Sequence, residues 1–379
     1  MSSLTPDGDG SAGRDGASGR GGSTGDVILT VEHVVKHFPV QTGSLRKSTE
    51  HVHAVDDVSF EVRRGETLGL VGESGCGKST LARCVARLLG LTAGRVVFDG
   101  VDISNLKTRQ LKPVRREMQM IFQDPYGSLN PRRRVGSIIG DPLAIHNVAS
   151  GKDLKRRVQE TMELVGLNPE HFNRFPAEFS GGQRQRIGVA RALVLHPKLI
   201  ICDEPVSALD VSIQAQIVNL LDDLQDLLNL TYIFIAHDLS VIRHVSDRVA
   251  VMYLGKIAEL SPVETLYREA RHPYANALLS AVPVPDPERA AARHRIVLVG
   301  DVPSPVFVPS GCRFHPRCPK ARPRCVEEEP ELEPRLGDPR DHTVACHFPV
   351  EPGEDLAAAH PEIGAEQRVV EPEGSISGP

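Results

Sequence analysis

Gly72-Glu73-Ser74-Gly75-Cys76-Gly77-Lys78-Ser79 constrains this chain more than any other stretch. It fits the G-x-x-x-x-G-K-[ST] spacing at every fixed position. The run Thr67-Leu68-Gly69-Leu70-Val71 before it reads as a strand, and Thr80 to Leu89 after it as a helix. A strand, a glycine turn and a helix in that order aim backbone N–H groups and the positive end of the helix at an anion. Gly72, Glu73, Ser74, Gly75, Cys76, Gly77 and Thr80 are therefore candidates to line a phosphate site. Lys78 supplies a mobile positive charge for terminal phosphates, and Ser79 a hydroxyl for Mg²⁺. ATP with Mg²⁺ is the ligand this cradle implies.

An acidic partner lies downstream, where the apolar run Leu199-Ile200-Ile201-Cys202 ends in Asp203-Glu204. Asp203 is placed to hold Mg²⁺, and Glu204 to polarise an attacking water as general base. Cys202 reads as a small apolar core residue. Further strand-like runs occur at Val27–Val31, Val58–Val62, Met118–Phe122, Tyr232–Ile235 and Val249–Tyr253, with a polar loop from Gln41 to His51. Helical patterns fall at Leu154–Val165, Gln183–Leu195 and Val211–Leu228. Strands alternating with helices predict an α/β fold around a largely parallel sheet buried on both faces.

A third motif narrows the class. Ser180-Gly181-Gly182-Gln183-Arg184-Gln185-Arg186, preceded by Phe179, resembles the signature motif of ABC ATPases and precedes the acidic strand as in that family. Gln123 in Ile121-Phe122-Gln123-Asp124-Pro125 resembles the glutamine loop, which in the family senses Mg²⁺ and the membrane subunits. Ser207-Ala208-Leu209-Asp210 resembles the loop joining two ATPase subunits. His237 resembles the switch histidine that contacts the γ-phosphate. Phe38 stands where the family puts an aromatic ring against adenine, although the residues alone also allow a core side chain there. The resemblance covers 27–265 and implies a P-loop NTPase of ABC type, with a RecA-like core, a β-subdomain and a helical subdomain between Gln123 and Ser180. It implies Glu204, His237 and Gln123 as catalytic groups. It also implies a dimer in which Ser180, Gly181, Gly182, Gln183 and Asp210 face ATP held by a second ATPase subunit, a paralogue or another copy. The further partners implied are two transmembrane permeases and an extracytoplasmic solute-binding protein.

Beyond Ser261 the composition changes. Arg271-His272-Pro273-Tyr274, the run Gly300-Asp301-Val302-Pro303-Ser304-Pro305, Gly311-Cys312-Arg313-Phe314-His315-Pro316-Arg317-Cys318-Pro319 and Ser128-Leu129-Asn130-Pro131-Arg132 resemble oligopeptide and dipeptide importer ATPases. Import of peptides is the expected task; nickel or another small solute, or a non-transport ABC ATPase, are the alternatives. Cys312, Cys318, Cys325 and Cys346 cluster here, and in a reducing cytosol such a cluster reads as metal or redox chemistry before disulfides. Four thiolates in a loop-rich segment suit a [4Fe–4S] cluster or a structural zinc, with metal-free cysteines, reduced or disulfide-paired, as the remaining reading. The expected organisation is a disordered tail at 1–26, an ATPase domain at 27–265, a cysteine-containing extension at 266–350 and a disordered acidic tail at 351–379.

Bulk properties narrow the partners. Net charge is −5, aromatic residues are 4% and Trp is absent, which disfavours nucleic acid as a ligand. No apolar stretch nears the roughly 18–20 residues of a bilayer span, and Met1–Gly25 lacks the apolar core of a signal peptide. The expected location is the cytoplasmic face of the cell membrane, reached through partners.

Overall fold

A computed structural model describes residues 26–42, 48–124, 127–282, 296–334 and 341–356. The chain runs β1 (Val27–Thr42), β2 (Ser48–Arg63), β3 (Thr67–Val71), α1 (Lys78–Val85), β4 (Ala93–Phe98), β5 (Val101–Asp102), α2 (Lys112–Glu117), β6 (Met118–Ile121), α3 (Val135–Ile145), α4 (Gly151–Leu164) and α5 (Gly181–Leu193). It continues through β7 (Leu199–Asp203), α6 (Val211–Leu228), β8 (Thr231–Ile235), α7 (Leu239–Val245), β9 (Arg248–Tyr253), β10 (Lys256–Pro262), α8 (Val263–Glu269), α9 (Pro273–Ser280), α10 (Pro323–Glu327), β11 (Glu333–Pro334) and β12 (Thr343–Val344).

The continuous apolar runs become central strands. Every residue of β3, β7, β8 and β9 is buried, as expected for parallel strands covered on both faces. The large sheet has the order β11-β12-β10-β9-β3-β8-β7-β6. Its members from β9 to β6 pair in parallel. The hairpin strand β10 and the short β12 and β11 join antiparallel, so the parallel part is narrower than the sheet. The carboxyl ends of β3, β7 and β8 share one edge, the place where open α/β sheets bind ligands.

The second sheet, β2-β1-β4-β5, is antiparallel. Its apolar face and that of the large sheet enclose α1, and Leu81, Ala82, Cys84 and Val85 lie in that shared core with Ile28, Leu29, Val96 and Ile201. A second core gathers α3, α4, α5 and α6 on the other face of the large sheet. Among the described residues the segment between β6 and α5 carries helices and no strand.

The structure corrects several expectations. Of the polar loop expected at Gln41–His51, Gln41, Thr42 and Ser48–His51 are paired strand, with Pro39 opposite His51 and Thr42 opposite Ser48; residues 43–47 lie outside the described residues. Pro39 is tolerated because β4 reaches β1 only as far as Val35, so that stretch of β1 has one neighbour. Helix α1 ends at Val85, short of Leu89, and Arg87 takes a left-handed φ of 53°. The extension is not a separate small unit. Its β12 hydrogen-bonds β10 within the large sheet, and Tyr274, Leu279 and Phe314 belong to the same core as β7 and β8. Residues 351–356, expected in the acidic tail, fold back onto the body: Lys320 donates to Glu354 at 2.6 Å and Leu356 is buried. The rest of the two expected tails, at 1–25 and 357–379, lies outside the described residues.

Candidate nucleotide site

The turn after β3 passes against backbone, which is why glycine is required at two of its positions. A Cβ on Gly77 (φ 108°) would lie 2.0 Å from the Ala54 carbonyl oxygen, and one on Gly72 (φ 151°) 2.1 Å from that of Met252. Lys78 is buried, and its ammonium donates to the Gly72 carbonyl at 2.7 Å and the Glu73 carbonyl at 3.0 Å. Its charge therefore rests inside the turn. Ser74 and Gly75 face solvent at the rim, Thr80 is half-buried, and burial pushes the Cys76 thiol up, so Cys76 sits in the turn as a neutral side chain.

Ser79 Oγ donates to Asp203 Oδ1 at 2.7 Å. Asp203 is fully buried, and its Oδ2 has no hydrogen-bond partner; the nearest cation is Arg83, 3.9 Å away. Burial raises its pKa, with the Ser79 hydroxyl and Arg83 pulling back. An unsatisfied carboxylate oxygen beside a hydroxyl is a hard-oxygen donor set of the kind Mg²⁺ takes.

Glu204 follows with a left-handed φ of 47°, a conformation that costs a non-glycine residue about 1–3 kcal/mol and collects at functional sites. Its N–H donates to the Ile235 carbonyl at 3.0 Å, which ties the β7 end to the β8 end. Gln123 Nε2 donates to Glu204 Oε2 at 2.8 Å, and His237 Nδ1 lies 3.7 Å from the same oxygen. Two residues far apart in sequence thus converge on one carboxylate. Its side chain is largely covered, whereas that of His237 is mostly exposed.

Other predicted residues lie apart from this cluster. Ser180 caps α5 in a reciprocal box: Gln183 N–H donates to Ser180 Oγ at 3.3 Å and Ser180 N–H to Gln183 Oε1 at 3.0 Å. Both are exposed, Gly181 is half-buried, and buried Gly182 packs so closely that a Cβ would meet Ile213 at 2.6 Å. Asp210 is the exposed N-cap residue of α6, with no side-chain cap bond. Phe38 pairs with Val52 on β1 and carries the Lys36 ammonium 4.9 Å from its ring.

Cys312, Cys318, Cys325 and Cys346 line one cavity with His272, Phe314, His315 and His347. None of the seven cysteines is in a disulfide. Burial raises the pKa values of Cys312 and Cys318. Among the described residues, three or more His, Cys, Asp or Glu ligand atoms all within 4.8 Å of one another occur only at His37, His53 and Asp56. Tetrahedral zinc at about 2.3 Å from each sulfur would hold the sulfurs about 3.8 Å apart. The four cysteines share this small cavity without the mutual closeness of a formed zinc site.

Sequence reasoning missed the groups that reach the turn from far along the chain. Glu73 N–H donates to the Tyr274 hydroxyl at 2.9 Å, and Arg317 grips the Glu73 carboxylate at 2.8 and 3.1 Å. Separations of 201 and 244 residues leave no local signal.

The fold and this edge of the sheet define a P-loop nucleotide-binding cassette. Residues 55–207 match the ABC transporter family, and residues 258–325 match the oligopeptide/dipeptide transporter C-terminal region. The oligopeptide transport ATP-binding protein AppF of Bacillus subtilis is 54% identical over 85% of this chain and 98% of its own length. OppF of Salmonella typhimurium, also an oligopeptide transport ATP-binding protein, is 51% identical over 84% and 96%. The di/tripeptide transport ATP-binding protein DppF of Pseudomonas aeruginosa is 48% identical over 85% and 98%. Among solved structures, the ATP-binding cassette MJ0796 in a dimeric post-hydrolysis state with ADP and Pi superposes with a TM-score of 0.56 at 27% identity, covering 62% of this chain and 99% of that one. The chain belongs to the ABC transporter ATP-binding proteins, in the branch of the oligopeptide transport subunits, and is an ATPase. Among the described residues no helix is long and apolar enough to cross a membrane.

Proposed function

We propose that this chain hydrolyses ATP to drive import of oligopeptides or dipeptides. The observation that carries the chemical half is the convergence of Gln123 and His237 on Glu204, beside the Ser79–Asp203 pair at the mouth of the turn. The turn 72–79 binds the triphosphate through its N–H groups, and Lys78 leaves its resting carbonyls for the terminal phosphates. Ser79 and Asp203, with Gln123 at the edge, would hold Mg²⁺, whose charge would offset that developing on the phosphate oxygens. Glu204 orients the attacking water and accepts its proton. His237 contacts the γ-phosphate, and Phe38 stacks on adenine.

The exposed Ser180 turn and Asp210 belong to a neighbouring subunit's site, so a second cassette, a paralogue or a copy, completes each pair. The similarity of the whole chain to peptide transport subunits supports the substrate class. Two permeases, a binding protein outside the cell and a position on the cytoplasmic membrane face go with that reading. We place a [4Fe–4S] cluster on Cys312, Cys318, Cys325 and Cys346, serving to hold the extension together and not to carry electrons; the gathering of all four cysteines around one cavity supports a shared ligand there.

Uptake of labelled dipeptides, oligopeptides and nickel in cells with and without the gene tests the task. Loss of peptide uptake alone is expected. Loss of nickel uptake alone would overturn the substrate, and no change in either would overturn the importer.

A further inference from the structure

The second residue of the phosphate turn is an acid, and an acid there is a problem. Glu73 places a carboxylate within a loop whose task is to attract a highly charged anion. Like charges in such proximity repel strongly when neither is compensated. The structure compensates this one from the far end of the chain. Arg317 meets Glu73 in a two-pronged pair at 2.8 and 3.1 Å, the geometry in which a guanidinium binds carboxylate most strongly. The Arg317 side chain is 9% exposed and that of Glu73 25%, so solvent screens the pair only in part. The Arg317 guanidinium is also held, 6.0 Å from the Tyr253 ring centroid.

Around this pair the turn is fixed at several atoms by residues beyond β9. Tyr274 accepts from Glu73 N–H. Tyr253, Tyr274 and Phe314 form one aromatic cluster with centroids 4.7, 5.2 and 5.3 Å apart. At the other side of the turn, Gly255 N–H donates to the Cys76 carbonyl at 2.8 Å, and Arg313 donates to the adjoining Leu254 carbonyl. Arg313 and Arg317 both sit on the short segment from Cys312 to Cys318. One cysteine-framed turn therefore reaches the cradle on two sides.

We infer that Arg317 is a positioning residue for ATP binding: it neutralises Glu73 and holds the start of the phosphate turn, so the extension tunes nucleotide affinity. This rests on the assignment of residues 72–79 as the phosphate site. Arg317 acts through Glu73, and the removal of either partner has an effect of opposite sign. Without Arg317 the bare carboxylate repels the triphosphate. Without the carboxylate, Arg317 adds positive charge beside the turn.

The test is a double-mutant cycle on the full chain, read by equilibrium binding of a fluorescent ATP analogue and by ATPase kinetics, with thermal unfolding beside them. Arg317→Gln should weaken ATP binding about tenfold, raising KM and leaving kcat within about twofold. Glu73→Gln alone should bind ATP at least as tightly as the parent. Combined with Arg317→Gln, it should restore affinity to within about twofold of the parent. A purely structural role would lower the melting temperature of Arg317→Gln with no rescue by Glu73→Gln, and that result overturns the inference, as does unchanged ATP affinity in Arg317→Gln. Should Arg317→Gln fail to fold, Glu73→Gln alone decides, since weaker ATP binding in it is the opposite of what is expected. Lys78→Ala separates the two readings: if it binds ATP like the parent, the phosphate site itself is misassigned, whatever Arg317 does.

Discussion

Glu259 gives a direct measure of how firmly the extension is welded to the cassette. It lies on β10 with no exposure, and it accepts from Arg271 N–H at 2.8 Å and His272 N–H at 2.7 Å. His342 Nε2, from the residues just before β12, lies 2.7 Å from the same carboxylate. One buried side chain thus terminates the turn into α9 and anchors the strand that joins the extension to the large sheet. Glu259→Leu removes all three acceptor contacts at similar volume. Each buried polar group left without its acceptor costs about 1–3 kcal/mol, and a leucine returns about 1–2 kcal/mol of apolar burial. Taken at the middle of each range, the net loss is about 4–5 kcal/mol, a large share of the 5–15 kcal/mol typical of folded domains. Glu259→Gln keeps one acceptor oxygen and should cost about half as much. Urea unfolding followed by circular dichroism measures both, and at about 2 °C per kcal/mol the leucine variant melts about 8–10 °C lower. Faster amide exchange at His272 should accompany it. A leucine variant within about 1 kcal/mol of the parent would mean that water already reaches this junction, and the argument that the extension shares the main core would fail.

Glu204→Gln should keep ATP binding and lower kcat by about 10²–10⁴, the range of a positioned general base; near-parent turnover in a steady-state ATPase assay would remove Glu204 from that role. For Asp56, burial pushes its pKa up, but the Arg313 guanidinium, with His53 and His37, overrides this and holds the carboxyl below its ordinary value. A lowered acid pKa means that stability is present above about pH 4 and is lost as pH falls through the folded value. Arg313→Met leaves burial opposed only by His53 and His37, so the acid-unfolding midpoint should move to higher pH; an unmoved midpoint would show that the pair contributes nothing. Anaerobically purified protein should carry about four iron and four sulfide per chain, and zinc without sulfide would replace the cluster. Cys325→Ser should then lose the iron and the associated visible absorbance.

Much of the cassette was legible in the chain because its signals are local. The turn 72–79 needs glycine at contact points with the backbone, β7 is a continuous apolar run ending in acid, and Ser180 and Gln183 cap a helix within four residues. Each of these is decided by neighbours a few positions away, so spacing alone locates it. What spacing could not reach are the long-range decisions. Gln41–His51 is polar enough to read as a loop, yet strand pairing with one neighbour makes Gln41, Thr42 and Ser48–His51 parts of two long strands. Residues 266–350 look like an appendage by composition, but β12 completes a sheet begun at β3, and Phe314 fills a core shared with β8. Glu73 reads as one more residue of the phosphate turn until Arg317 and Tyr274 are seen against it. Local chain chemistry, then, determined which segments could hold a phosphate, carry a metal or start a helix. Only tertiary packing decided which distant groups set the charge and rigidity of that site, because burial and ion pairing depend on what the fold brings together and not on order along the chain.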